Sequence, residues 1–114
     1  MIFAAETEER CLHVFRDAET AASYCEARAV GASLWMFWDD SGSPLQAEFD
    51  IPNTHGVFTS KNGVYHLTPM VGEQHAVLAD SLGEIVQVIG EPPFTTVLAV
   101  KQYLDRQQTT APRS

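Results

Sequence analysis

At 114 residues the chain has room for one compact domain, since domains usually run to ~100–150 residues before a second core forms. A 45% hydrophobic content with two Trp, three Tyr and six Phe supplies that core and excludes intrinsic disorder. Fifteen acidic against seven basic residues, a formal charge of −8, give a negative field that disfavours nucleic acid and anionic membranes and attracts a basic partner.

Residues 1–9 are charge-rich and weakly patterned, and residues 107–114 are polar without an apolar repeat. Both ends are expected to fray, leaving one domain over residues 10–106. Residues 11–15 have the short alternation of a strand. Asp17 is a good N-cap for a helix over residues 18–27, with Gly31 beyond it as a stop. Residues 33–38, apolar nearly throughout and rich in aromatics, suit a central strand covered on both faces. The Asp, Ser, Gly and Pro of residues 39–44 form a hairpin turn. Residues 45–51 then alternate, with Leu45, Ala47, Phe49 and Ile51 inward and Gln46, Glu48 and Asp50 outward.

Residues 52–56 break that strand. Residues 57–60 and 64–67 flank Lys61-Asn62-Gly63, whose Asn-Gly pair predicts a two-residue hairpin loop. That loop would pair Ser60 with Tyr65 and Phe58 with Leu67, and put Thr59 and His66 on the opposite face. From about Glu73 the spacing of Val77, Leu78, Leu82, Ile85, Val86 and Ile89 predicts a helix stopped at Gly90 and Pro92-Pro93. Thr95 or Thr96 caps a last helix to about Arg106, with Val97, Val100 and Leu104 at helical spacing. The predicted order is β-α-β-β-β-β-α-α. It implies an α+β fold with a four- to five-stranded, mainly antiparallel sheet and helices on one face.

Chemistry-bearing patterns are sparse. His13, His55, His66 and His75 show no H-E-x-x-H or related spacing, and Glu73, His75 and Asp80 lack the tight clustering of metal ligands. Cys11 and Cys25 form no C-x-x-C pair and read as buried thiols of a reducing compartment. Cys25, among helical alanines, reads as packing rather than as a nucleophile. Nucleophile-elbow, phosphate-loop and dinucleotide fingerprints are all missing. Asp39 and Asp40, beside Ser41-Gly42, read as turn formers, because the remainder of a calcium loop does not follow. The expectation is therefore a non-enzyme with no cofactor and no metal. An enzyme dispersed around His66, His75 and Glu73 is the contrary reading. No apolar run approaches the ~18 residues of a membrane span and no basic leader region opens the chain, so a cytoplasmic location is expected.

A surface argument is left. Asp39 and Asp40 at the turn, Glu48 and Asp50 on the next strand, and Trp38 with Trp35 beside them would make an anchor for a basic protein. Interface hot spots favour large aromatics, and charge steers encounter. The candidate contact patch is Trp38, Asp39, Asp40, Glu48 and Asp50.

The stretches Ala22-Ser23-Tyr24-Cys25-Glu26-Ala27, Leu34-Trp35-Met36-Phe37-Trp38-Asp39 and Gly42-Ser43-Pro44-Leu45-Gln46-Ala47 resemble a group of small bacterial proteins similar to immunity proteins. These neutralise toxins delivered by type VI or contact-dependent secretion systems. The resemblance covers about the first half of the chain and rests on packing and turns, so it carries over no site residues. It implies stoichiometric inhibition, in which the domain binds a cognate toxin and occludes its active site. An acidic inhibitor suits a basic toxin. The alternative from another class is a small-ligand or regulatory module using a groove between sheet and helices. Homodimerisation through a strand edge or the last helix is left open by the sequence.

Overall fold

A computed structural model describes residues 1–31, 34–55, 60–61, 63–72 and 74–110. Its sheet begins with the first residues. Ile2–Glu6 (β1) turns Phe3 and Ala5 to one face and Ile2 and Ala4 to the other, and all four are buried. A strand apolar at both parities belongs in the middle of a sheet. Accordingly β1 pairs antiparallel with Cys11–Phe15 (β2) on one side and with Trp35–Trp38 (β3) on the other. The N-terminus expected to fray is thus the centre of the sheet. The acidic run that suggested fraying forms the turn after β1, where Arg10 takes φ 56°.

Pro44–Ile51 (β4) follows β3 through the expected turn and pairs with it antiparallel. Beyond it lie the short antiparallel ribbon of Thr54–His55 (β5) and Ser60–Lys61 (β6), and then Val64–Pro69 (β7). The expected pairing of Ser60 with Tyr65 is not found. Tyr65 pairs with Phe49 of β4 and Ser60 with His55, while Phe58, Thr59 and Asn62 fall outside the described residues. A longer ladder that buries Leu45, Ala47 and Phe49 beside Tyr65 and Leu67 outweighs a local turn preference. Gly63 is required for another reason: a Cβ there would run into the Ile51 carbonyl oxygen. At the far end of β4 the register shifts between Phe49 and Ile51, so Ile51 is 56% exposed rather than inward.

Ala18–Tyr24 (α1) starts where Asp17 Oδ1 accepts the Thr20 N–H at 2.8 Å. It ends earlier than expected, because Cys25 is extended, and a separate helix Ala27–Gly31 (α2) follows and includes Gly31. The helix expected from Glu73 to Ile89 is only one turn, Leu78–Ser81 (α3), continued by a 3-10 turn at Leu82–Glu84. The chain then extends as Gln87–Ile89 (β8), parallel to β2, with Val88 buried and Ile89 exposed. Short apolar runs fit either period, and here the open edge of β2 captured this one. Val97–Thr110 (α4) starts where the Thr96 hydroxyl accepts the Ala99 N–H at 3.1 Å, and it runs past Arg106 into the expected tail.

The six-stranded mixed sheet has the order β7-β4-β3-β1-β2-β8. The fold is α+β, with helices on both faces rather than one. Phe3, Leu12, Trp38 and Val88 meet Leu78, Leu82, Val100 and Leu104 of α3, the 3-10 turn and α4. On the other face Ile2, Ala4, Phe37, Leu45 and Tyr65 meet Ala21 of α1, Ala27 of α2 and Cys25 between them. Residues of β1 and β3 are apolar at both parities, which demands two covers. Residues of β4 and β7 are apolar at one parity, which demands one.

Candidate functional site

Among the described residues that difference leaves a strip of sheet uncovered. On the face where α3 and α4 cover the centre, β4 and β7 display Gln46, Glu48, Asp50, Val64, His66 and Thr68. Glu48 stands directly opposite His66, and Ile51 opposite Val64. The side chains of Glu48, Asp50 and His66 are each about half exposed. His66 Nδ1 lies 2.8 Å from Asp50 Oδ2, and its Nε2 lies 3.9 Å from Glu48 Oε2. The hydrogen bond to Asp50, reinforced by the charges of Asp50 and Glu48, holds the imidazole above its ordinary range. Beside this trio the opposed pair Ile51 and Val64, 56% and 51% exposed, adds apolar area, because directly opposite residues share a face. Gln46 closes the other end of the strip. Its Oε1 accepts the Val71 N–H at 3.0 Å and a Gln74 amide N–H at 3.3 Å.

The five candidate contact residues do not form one patch. Trp38 is fully enclosed, 0% exposed; its indole N–H donates to the Ala76 carbonyl at 2.8 Å and its ring meets His75 edge-on at 5.0 Å. It belongs to the core and cannot anchor a partner. The strand period placed it on a covered face, and two-sided burial of β3 did the rest. Asp39 is a turn residue, its Oδ1 accepting from the Ser41 N–H, the Ser43 N–H and the Ser41 hydroxyl at 2.8–3.0 Å. Gly42 completes that turn at φ 84°. Asp40 is exposed and accepts a hydrogen bond from the Tyr103 hydroxyl. Glu48 and Asp50 do come together, and with His66, whose place the mistaken hairpin register had concealed.

Asp40 and Tyr103 border an open cleft of about 720 Å³ whose walls include Val14, Phe94, Arg16 and Asp17. Burial, and then the bond to Asp40, push the Tyr103 hydroxyl up to about 12. A further feature escaped the sequence reading: His13, Phe15, Tyr24 and Trp35 form an aromatic cluster with ring centroids 5.1–6.2 Å apart. Tyr24 is 58% exposed, but the rings touch one another and leave no slot between them. Burial lowers His13 against the opposing charges of Glu6 and Glu9.

His75 sits on Trp38, and His66 between two carboxylates of β4, so the dispersed histidine site is not assembled from these two. Glu73 lies outside the described residues. Cys25 is buried, and desolvation pushes its thiol up to about 12, which leaves it protonated at neutral pH. Among the described residues no three His, Cys, Asp or Glu side chains converge as metal ligands, and no helix is long and apolar enough to cross a membrane. Compared with protein-family models, curated proteins and solved structures, the chain gives no match.

Proposed function

We propose that the domain works by stoichiometric binding of a basic protein, as an immunity-type inhibitor in the cytoplasm that covers the active site of a cognate secreted toxin. The bare face of β4 and β7 is its contact surface. The observation that carries the reading is that face itself: Glu48 and Asp50 stand beside the exposed Ile51–Val64 pair on a strip of sheet that no helix covers among the described residues. Carboxylates there steer a cationic partner, and the apolar pair supplies area to bury once it docks. The formal charge of −8 extends the attraction beyond contact range. The inhibitory role in particular draws on the resemblance to immunity proteins.

Co-expression with the protein encoded next to this one tests the proposal. The pair is expected to co-purify and the domain to suppress the neighbour's toxicity, with E48K/D50K losing both effects while still folding. A neighbour that is neither secreted nor toxic, or full protection by E48K/D50K, would overturn it. The cleft bordered by Asp40 and Tyr103 favours a second reading, a small-ligand module, because Arg16, Asp17 and Tyr103 line it together with the apolar Val14 and Phe94. A metabolite that raises the melting temperature of the wild type but not of Y103F would establish that role.

A further inference from the structure

β7 is an edge strand, with β4 on one side and no strand beyond it among the described residues. The register shows which of its backbone groups point away from β4. The Met70 N–H donates to the Pro44 carbonyl at 3.1 Å, continuing the ladder in which Leu45 stands opposite Pro69 and Gln46 opposite Thr68. Hydrogen-bonded pairs alternate in an antiparallel ladder. Gln46–Thr68 and Glu48–His66 therefore exchange the bonds between the strands, and Tyr65, Leu67 and Pro69 turn their backbone groups away from β4. The open edge thus offers the N–H groups of Tyr65 and Leu67 and the carbonyls of Tyr65, Leu67 and Pro69. Proline sits at the one outward position where its missing donor costs the ladder nothing, and it limits how far an added strand can extend.

This edge faces a groove of about 650 Å³ whose far wall is α1. Small side chains of Ala18, Ala22 and Ser23 keep the wall low, Glu19 stands on it and Glu26 just past its end. His66 is the only basic side chain among the described residues that line the groove, and it is already engaged by Asp50 and Glu48. An added strand would turn alternate side chains toward Glu19 and Glu26 on one face and toward Val64, His66 and Thr68 of β7 on the other, with Glu48 and Asp50 one strand further away. A second copy of this chain would bring Glu19 and Glu26 against the same pair, which opposes edge-to-edge self-pairing. A cationic extended segment meets complementary charge on the face of Glu19 and Glu26, and its alternate apolar residues meet Val64 on the other.

We propose that the partner docks by adding one extended, lysine- or arginine-bearing strand of about five residues to the open edge of β7, in the groove against α1. The inference rests on the reading of the domain as a binder of a basic protein, and it specifies how that protein is held: backbone bonds to Tyr65, Leu67 and Pro69 give affinity, and the flanking carboxylates select the sequence.

The test uses the full chain and a capped peptide of about seven residues that alternates Lys and Val, long enough to cover the edge. Two versions are N-methylated at alternate positions, one at the odd and one at the even residues. The peptide is expected to bind and to slow hydrogen exchange at the Tyr65 and Leu67 amides, while His66 and Thr68, already bonded to β4, change little. One N-methylated version should lose about tenfold or more in affinity, because its edge-facing donors are gone, and the other should bind like the parent. E19Q/E26Q should weaken the parent without altering that contrast. Equal binding of both N-methylated versions, protection elsewhere in the fold, or no binding of the parent at millimolar concentration would overturn strand addition. The broader reading fails separately, when E48K/D50K leaves capture of the neighbouring gene's product intact.

Discussion

Replacing Tyr65 with phenylalanine removes a single oxygen at the junction between β7 and α1. That hydroxyl donates to the Cys25 carbonyl at 2.6 Å, in a buried setting. Burial raises the hydroxyl well above the ordinary tyrosine range, so it stays a donor at neutral pH. The ring would remain against Phe37 and Phe49, whose centroids lie 6.3 and 5.6 Å away, so packing is kept and only the bond is lost. A net hydrogen bond contributes ~1 kcal/mol, and the orphaned carbonyl adds desolvation that takes the cost to about 1–2 kcal/mol. Urea unfolding should show a lower midpoint at unchanged slope, and thermal unfolding a drop of about 4–12 °C for a domain near this size. The same variant should speed hydrogen exchange along β7, since Tyr65 ties that edge to the end of α1. A Y65F protein within about 0.3 kcal/mol of wild type would refute the reasoning, because it would mean that the carbonyl finds water and the junction is not sealed.

Three other outcomes follow from the same coordinates of charge and burial. W38A should cost about 3–5 kcal/mol, a large share of the ~5–15 kcal/mol that holds a domain together; a stable, native-like W38A by near-ultraviolet circular dichroism would contradict its enclosure. Neither thiol should react with a neutral-pH disulfide reagent in the folded protein, because Cys11 and Cys25 are buried and Cys25 is pushed up to about 12, whereas both should react in denaturant; rapid native labelling would show the core to be open. In an NMR titration His13 should titrate below, and His66 above, the ordinary value of about 6.5, and D50N should bring His66 back down. The two histidines then act oppositely on stability. The part from His66 is complete below the unfolded value and fades as pH rises through the folded one, whereas the part from His13 is complete above the unfolded value and fades as pH falls through the folded one. Coincident titration of the two rings would contradict the geometry.

Local chemistry was legible wherever one residue decides a conformation. Asp17 caps α1 and the Asp39–Ser43 turn closes as its side chains dictate. The helix of Val100 and Leu104 was equally plain, because its apolar spacing has no competing period over that length. Long-range pairing was not legible. Ala4 and Ala5 have too little hydrophobic surface to announce a central strand, yet their small size lets α1 and α3 close over β1. Val86 to Ile89 continued a helical spacing by chance, and only the available edge of β2 made Gln87–Ile89 a strand. The candidate site suffered from the same limit. The outward alternation of Glu48 and Asp50 could be read from β4 alone, but His66 joins them only because β7 pairs with β4. Trp38 looked like a hot spot because a sequence does not display the second layer that buries it.

Association kinetics between this domain and the protein encoded beside it test the central claim most directly. Charge steering from the β4–β7 face predicts a rate constant for association that falls about tenfold or more between low and physiological salt, and that E48Q/D50N lowers at low salt. A rate indifferent to salt and unchanged by E48Q/D50N would contradict a recognition surface built on those two carboxylates.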